Sequence, residues 1–296
     1  QETGQSIAEW TVEANPDTVS EEIADVLGQS GVNRVSLGAQ SFQPQALTAL
    51  ERHHDPDHVG LAMDRLRHAG ISDLSLDLIF AVPSGLDPRV AWRADLEMAI
   101  SLKPTHMSCY GLTYEPGTPL TRRLETGRVT RVSQEMEAAQ YEEALTLLAQ
   151  EGYEHYEISN WAQPGCRCRH NEIYWRNENW WPLGPSASGH VEGTRWRNVP
   201  RLGESLDSEG LPPIDSIEQL DEEGRCGEVL MLGLRLLDGV PKQTVDAACA
   251  TSGRGARRVD VMRQAIEDEL LEWRKDHLAL TTRGLLLADG VIRELL

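Results

Sequence analysis

The chain has 296 residues, enough for one large domain and a small one, and its hydrophobic share of 40 % is ordinary for a protein that buries a core. Its 28 Lys and Arg are outnumbered by 47 Asp and Glu, so the net charge is −19. Binding to a nucleic-acid backbone needs clustered cations, and this balance argues against a nucleic-acid partner. It does not exclude a compact basic pocket for an anionic cofactor.

No stretch of about 18 apolar residues occurs, so we expect a protein that is not integral to a membrane. The N-terminus shows no export signal, and we therefore expect a cytoplasmic location. The sequence does not start with Met, which predicts a processed or partial chain. The cysteines are odd in number and scattered, a pattern that favours free thiols in a cytosolic protein. They are Cys109, Cys166, Cys168, Cys226 and Cys249.

Strand-like and helical patterns alternate over the first 112 residues. The predicted strands cover residues 10–14, 33–38, 74–80 and 105–112. The predicted helices cover residues 20–29, 44–52, 56–69 and 90–102. Ser20 is a suitable N-cap for the first helix, and Gly31 ends it. Strands separated by helices indicate parallel βαβ units and an α/β fold, for which a barrel and an open doubly wound sheet are the two alternatives.

The character of the sequence changes after residue 112. Residues 133–150 predict a long helix, residues 161–198 a Trp-rich loop, and residues 202–215 a surface linker with Gly203, Gly210 and a Pro pair. The remainder, from Ser216 to Leu296, is predicted to be mostly helical. We therefore expect two domains, residues 1–200 and 201–296.

Each predicted strand has a distinctive residue near its carboxyl end, the end at which function collects in parallel barrels. The first three strands have Glu13, Gln40 and Asp77, and the fourth runs into Gly111, which permits a close approach of a ligand to the backbone. Asp77 lies within an otherwise apolar run, so its carboxylate must find polar partners or a cation. This rim is the first candidate site.

Three short segments of the sequence resemble the core of the coproporphyrinogen-oxidase-like radical SAM family. They are TVEANP at residues 11–16, NRVSLGAQSF at 33–42 and LDLIFAVP at 76–83. The likeness covers nearly the whole chain and is most specific over residues 10–120. It implies a barrel of six βα units, of which the four predicted here would be the last four. It also implies a small, mostly helical, winged-helix-like C-terminal domain. The segment that resembles this domain is LALTTRG at residues 278–284.

The resemblance implies binding roles for the residues of the rim. Glu13 matches a family glutamate that touches S-adenosylmethionine, and Gln40, Arg52, Asp77 and Gly111 match positions that line the same cofactor site. The chemistry is consistent, because an arginine fork pairs with a methionine carboxylate and a carboxylate accepts hydrogen bonds from ribose hydroxyls or an ammonium group. Without the resemblance, Arg52 would be interpreted as the solvated end of a helix.

A second motif distinguishes the branches of the family. Residues 170–175 read HNEIYW, which resembles the His-Asn-x-x-Tyr-Trp signature of the heme-chaperone branch. The resemblance implies heme binding here, with His170 as an axial ligand of the iron and with Tyr174 and Trp175 in contact with the macrocycle. Two alternatives stay open: His170 has a structural role, or the thiols of Cys166 and Cys168 take its place at the iron.

Two departures from the family pattern are visible. Residues 184–190 read GPSASGH, where the family usually has two histidines, and only His190 is retained. Radical SAM proteins hold a 4Fe–4S cluster with a Cys-x-x-x-Cys-x-x-Cys loop, and no such triplet occurs in the chain. We expect the cluster segment to precede Gln1, and the chain as given not to be catalytically active.

These observations predict a heme-binding chaperone that delivers heme to acceptor proteins. An oxygen-independent coproporphyrinogen III oxidase of porphyrin biosynthesis is the second alternative, and a truncated non-catalytic product is the third. The HNEIYW motif favours the chaperone. The expected ligands are heme and S-adenosylmethionine, with the 4Fe–4S cluster confined to the intact family protein.

Overall fold

The computed structural model describes residues 7–208, 210–251 and 253–296. The contacts divide the chain into two compact units, with the boundary between Cys168 and Arg169. The predicted boundary lay at 200/201, so the HNEIYW segment, which we had placed with the first domain, opens the second unit. No helix among the described residues combines the length and the apolar composition of a membrane span.

The first unit is an α/β structure around a six-stranded sheet, in the order β1-β2-β3-β4-β6-β5. Its strands are β1 Thr11–Ala14, β2 Arg34–Gln40, β3 Asp73–Phe80, β4 His106–Gly111, β5 Glu154–Glu157 and β6 Asn160–Ala162. Its helices are a 3-10 turn at Pro16–Thr18, α1 Glu21–Ser30, α2 Pro44–Ala49, α3 Asp57–His68, α4 Pro88–Ser101, α5 Pro119–Glu125 and α6 Gln134–Gln150.

The four predicted βα units are confirmed. Strands β1 to β4 pair in parallel in chain order, whereas β6 runs antiparallel to β4 and β5 antiparallel to β6. Within the described residues the sheet is open, because β1 pairs only with β2 and β5 only with β6. The first helix begins and ends as predicted: the Ser20 side chain accepts from the Ile23 N–H, and Gly31 takes the left-handed conformation at φ 92°.

The second unit contains two small antiparallel sheets and seven helices among its described residues. Its first sheet comprises β7 Ser188–Val191, β8 Thr194–Asn198 and β9 Ile214–Gln219, and its second β10 Val240–Pro241, β12 His277–Leu280 and β11 Leu271–Arg274. Its helices are α7 Arg169–Trp175, α8 Leu202–Leu206, α9 Glu222–Gly233, α10 Lys242–Cys249, α11 Gly255–Glu267, α12 Thr282–Leu286 and α13 Ala288–Leu295.

The prediction of a loop over residues 161–198 was wrong, since the segment contains the end of β6, helix α7 and the hairpin β7–β8. The hairpin turn explains the error. Glu192 and Gly193 lie between the paired residues Val191 and Thr194 at φ values of 50° and 81°, as a two-residue primed turn requires. Glu–Gly is a weak signal for such a turn compared with Asn–Gly. The mostly helical character of the C-terminal part is confirmed by α9 to α13.

Candidate functional site

The sheet of the first unit has one apolar and one polar face. The apolar face comes from alternate residues that are all buried: Val35, Leu37, Leu74, Leu76, Leu78, Met107 and Trp161. The residues between them point to the opposite face, and most of them are polar: Arg34, Ser36, Asp73, Ser75, Asp77, His106 and Ser108. Strand pairing aligns these polar residues, since Glu13 lies opposite Ser36 and Asp77 lies opposite Ser108. We call this surface the polar face.

Asp77 lies in the middle of the polar face, and its carboxylate has the polar partners that we expected for a charged group in an apolar run. The Ser36 hydroxyl donates to both carboxylate oxygens, at 3.1 and 3.2 Å. Burial raises the pKa of Asp77 above its ordinary value of 3.8, and the charge of Glu13 acts in the same direction. Hydrogen bonds from Ser108 and Ser36 and the charge of Arg34 oppose that rise. Asp77 is therefore a carboxylate that is costly to hold charged, a state typical of functional sites.

This cost predicts the effect of Asp77→Asn on stability. A carboxyl group with a raised pKa in the folded state destabilises the fold as pH rises through that pKa, and costs nothing below the unfolded value near 3.8. We expect the melting temperature of Asp77→Asn, relative to wild type, to increase as pH rises from about 4 to 8. Thermal melts over this range check it. The exposed Asp64→Asn is the control, and a flat or falling difference for Asp77→Asn would contradict the assignment.

The loop after β2 carries Gln40 in an unusual conformation. Gln40 has a φ of 62°, and its side chain folds back over Gly38, where an added Cβ would lie 2.8 Å from the Gln40 Nε2 atom. The loop is held by Asp95 of α4, a buried residue to which the Ser41 hydroxyl donates at 2.6 Å and the Phe42 N–H at 2.8 Å. Asp95 thus positions a predicted cofactor-binding segment, a role that the sequence did not reveal.

Arg52 and Glu13 are both exposed, as residues that meet a ligand from solvent must be. Among the described residues, the Arg52 guanidinium has no hydrogen bond or ion pair. The neighbouring Glu51 has a φ of 57° and pairs with Arg123 at 2.9 Å, which orders the chain beside Arg52. The donors and acceptors required by the resemblance are therefore available on these two side chains.

Gly111, the last residue of β4, has a packing role in addition to its predicted one. A Cβ at this position would lie 2.9 Å from the Glu137 Oε1 atom and 3.4 Å from the Phe80 ring. These side chains fill the space that we had expected a ligand to approach. A ligand contact of Gly111 stays a prediction.

A second hydrogen-bond network on the polar face links Ser75, His106 and Tyr156. The Ser75 hydroxyl lies 2.8 Å from His106 Nδ1, and the Tyr156 hydroxyl lies 2.8 Å from His106 Nε2. Burial, together with the nearby charge of Arg34, moves the pKa of His106 well below its ordinary value of 6.5. His106 is therefore neutral at pH 7, and its two nitrogens connect β3 to β5.

The HNEIYW segment forms α7 at the start of the second unit. His170 is exposed, and its ring contacts Tyr174 edge-on at 4.8 Å between centroids. Tyr174 in turn contacts Trp180 at 4.5 Å. Trp175 lies elsewhere on the helix, under the guanidinium of Arg235 at 4.4 Å. The structure thus joins His170 and Tyr174 into one aromatic surface and gives Trp175 a different neighbour.

His190 is structural. It is buried, Nδ1 lies 2.9 Å from the Glu178 carbonyl oxygen, and Nε2 accepts from the Gly193 N–H at 3.2 Å. Its ring also contacts Trp180 at 4.7 Å. Both nitrogens are engaged in holding the β7–β8 hairpin, so His190 offers no open position to a metal.

Two cysteines, Cys166 and Cys168, lie just before α7 in the sequence. Cys168 is buried, and its thiol lies 3.6 Å from the Glu9 carboxylate. Burial and the charge of Asp73 raise the pKa of the half-buried Cys166 thiol, although Arg34 opposes them. A neutral thiol is a weak metal ligand, so the raised pKa of Cys166 disfavours this residue as the axial ligand. The described residues contain no cluster of three or more His, Cys, Asp or Glu suited to a metal ion.

Comparisons with protein families agree with the two units. Residues 2–87 match the radical SAM superfamily, and residues 220–287 match the HemN C-terminal domain. The described fold is similar to the structure of coproporphyrinogen III oxidase (HemN) from Escherichia coli, with a TM-score of 0.80 over 98% of this chain and 70% of that one. The identity is 17%, so this likeness concerns the fold alone.

Curated relatives are more similar in sequence. Heme chaperone HemW from Mycobacterium tuberculosis is 35% identical over 291 residues, which cover 98% of this chain and 72% of the relative. Heme chaperone HemW from Bacillus subtilis is 34% identical over 288 residues, covering 96% and 75%. The protein of the same name from Lactococcus lactis is 32% identical over 290 residues, covering 98% and 76%.

Proposed function

Because the chain belongs to the HemW heme-chaperone family of HemN-like radical SAM proteins, we propose that it binds heme and delivers it to acceptor proteins. The observation that supports this most is the location of the HNEIYW motif. It forms α7, where the imidazole of His170 is exposed beside a row of aromatic rings. An imidazole side chain is a common axial ligand for heme iron.

The aromatic row supplies the second requirement of a heme site, which is apolar contact with a flat macrocycle. Tyr174 and Trp180 continue the surface that begins at His170. Trp180 is fixed in place because its Nε1–H donates to the Ser188 carbonyl oxygen at 2.9 Å. A rigid aromatic surface loses little conformational entropy when it covers a ligand.

The proposal includes an S-adenosylmethionine site on the polar face of the first unit. The donor set fits this molecule: the Arg52 guanidinium suits its carboxylate, and Glu13 and Asp77 suit its ammonium group or ribose hydroxyls. Gln40 adds an amide, held by the loop that Asp95 fixes. When bound to a reduced cluster, S-adenosylmethionine is a source of a carbon radical in this superfamily. The 296 residues contain no Cys-x-x-x-Cys-x-x-Cys triplet, and the proposal for this chain is confined to binding of S-adenosylmethionine.

Titration of the 296-residue protein with hemin tests the binding proposal. We expect saturation at one heme per chain and a shifted Soret band, because a specific axial ligand changes the iron spectrum. An absorbance that rises without saturation, or one that matches free hemin, would contradict the proposal. Delivery is tested by mixing the loaded protein with the apo form of a bis-histidine b-type cytochrome. A transfer rate that depends on the acceptor concentration supports a handover, whereas a constant rate indicates passive release.

A further inference from the structure

Among the described residues, Arg235 of the second unit has no hydrogen-bond acceptor for its guanidinium. Arg235, just after α9, is half-buried, and its guanidinium carbon lies over the Trp175 ring, 4.4 Å from the ring centroid. The Nε atom of Arg235 and the Nε1 atom of Trp175 are both buried, and neither has a hydrogen-bond partner among the described residues. Buried donors without partners are rare, because a donor that has lost its water and gained no acceptor destabilises the folded state.

The neighbouring charges do not satisfy Arg235. Two acids are close in sequence, Glu172 three residues before Trp175 and Asp238 three residues after Arg235. Arg176 contacts both, at 3.2 Å from Glu172 and 3.8 Å from Asp238. The buried carboxylate of Glu228 accepts from Asn177 at 3.0 Å and pairs with Arg195 at 2.5 Å. Among the described residues, Arg235 therefore has a cation–π contact and no ion pair.

The cation–π contact between Arg235 and Trp175 favours one class of ligand. A guanidinium that lies on an indole uses its face for the ring, and its N–H groups point outward in its own plane. Those in-plane donors match the two oxygens of a carboxylate, which is also planar. The rest of the chain repels such a group, since its net charge is −19, so a dicarboxylate ligand needs a local cation.

Heme is such a dicarboxylate. Helix α7 carries both His170, the proposed iron ligand, and Trp175, the residue that Arg235 contacts. His170 and Trp175 are five residues apart on this helix, about 7.5 Å along its axis. The porphyrin has its iron at the centre and its propionates at the edge, so one molecule presents a metal and a carboxylate at separate points. We propose that Arg235, held by Trp175, is a carboxylate-binding residue that takes a propionate of heme. This inference rests on the proposed heme binding.

The ligand itself allows a test that needs no variant. The 296-residue protein is titrated with iron protoporphyrin IX and with its dimethyl ester, which keeps the iron and the macrocycle but has no carboxylates. We expect the ester to bind about tenfold or more weakly, the effect of losing one charge-assisted hydrogen-bonded pair. Equal affinities for the two porphyrins would overturn the inference.

Variants of Arg235 then test whether this residue causes the difference in affinity between the free acid and the ester. In Arg235→Gln the affinity for the free acid falls to that for the ester, while the affinity for the ester is unchanged. Arg235→Lys keeps the positive charge but lacks the planar pair of N–H donors. Its affinity for the free acid is expected to lie between those of wild type and Arg235→Gln. The exposed Arg201→Gln removes the same charge elsewhere and behaves as wild type. If Arg235→Gln keeps the wild-type preference for the free acid, the residue does not bind the carboxylate.

The outcomes separate this inference from the function on which it rests. A wild-type protein that binds neither porphyrin contradicts heme binding itself. A wild-type protein that binds both equally well leaves heme binding intact and removes the role of Arg235.

Discussion

Replacement of Arg258 by Met is expected to destabilise the second unit by about 3–5 kcal/mol, because it removes a buried cation that joins four helices. Arg258 lies on α11 and is 1% exposed. Its guanidinium donates to the carbonyl oxygens of Leu295 on α13, Ala248 on α10 and Glu223 on α9, at 3.0, 3.0 and 3.1 Å. It also pairs with the Glu223 carboxylate at 2.6 Å.

The cost arises mainly from the partners that are left behind. Methionine fills much of the volume of arginine but donates no hydrogen bond, so each of the three carbonyl oxygens loses one donor and the Glu223 carboxylate loses its cation. Thermal unfolding and amide hydrogen exchange of α9 to α13 measure the effect. The control is Arg263→Met on the same helix, which removes an exposed i,i+3 pair with Asp260 at 2.5 Å and should cost less than about 0.5 kcal/mol. Equal effects of the two substitutions would contradict the role of Arg258.

Asp95→Ala is expected to destabilise the first unit by about 2–4 kcal/mol and to release the loop that carries Gln40. The carboxylate accepts from the Ser41 hydroxyl, the Phe42 N–H and the Gln43 amide, so alanine leaves three donors without an acceptor. Amide exchange of residues 39–43 should accelerate more than exchange in α3, a helix that Asp95 does not touch. Exchange that accelerates uniformly over the unit would indicate a general loss of packing instead.

A conservative variant keeps the Asp95 prediction testable if alanine is too disruptive. Asp95→Asn retains one acceptor oxygen, so we expect intermediate exchange and partial stability. Burial raises the pKa of Asp95, whereas its three hydrogen bonds lower it. The neutral amide avoids the cost of burying a charge, which should offset part of the loss as pH rises above about 4. A stability of Asp95→Asn below that of Asp95→Ala would show that the hydrogen bonds are not what holds the loop.

The four parallel strands of the first unit were predictable because their signals are local, whereas β5 and β6 of the same sheet were not predicted. Each strand has a run of apolar residues at alternate positions, and each helix between the strands has a polar start or a glycine stop, as at Ser20 and Gly31. The polar residues at the strand ends were also visible in the sequence. Which partners they would find was not, since Ser36 and Asp77 are 41 residues apart and serine is common in any strand or loop.

The residues that hold the structure together were missed for a related reason. Arg258 and Asp95 lie in helices, where a charged side chain is usually solvated, and no local pattern distinguishes a buried one. Their roles depend on backbone atoms of other helices and loops. The second unit was less predictable for a different reason, because its strands are short and its turns, such as Glu192–Gly193, use residues with weak turn preferences.

Residues 170–175 of the candidate heme site combine contacts that the sequence predicted with one that it did not. The resemblance of residues 170–175 to a family motif identified His170 and Tyr174 as neighbours, and the structure places their rings in contact. The same resemblance grouped Trp175 with them, whereas the structure pairs it with Arg235, which lies 60 residues further along the chain. A motif names the residues that matter, and the fold shows which neighbours each of them contacts.

The most direct measurement of the account is the hemin titration of His170→Ala beside wild type and His68→Ala, an exposed histidine of α3. The account predicts a changed Soret band and an affinity lowered about tenfold or more for His170→Ala, with an unchanged melting temperature because the side chain is exposed. His68→Ala should behave as wild type. Unchanged spectra and affinity in His170→Ala would contradict coordination by His170, and the same titration of Cys166→Ala and Cys168→Ala would then show whether a thiolate binds the iron.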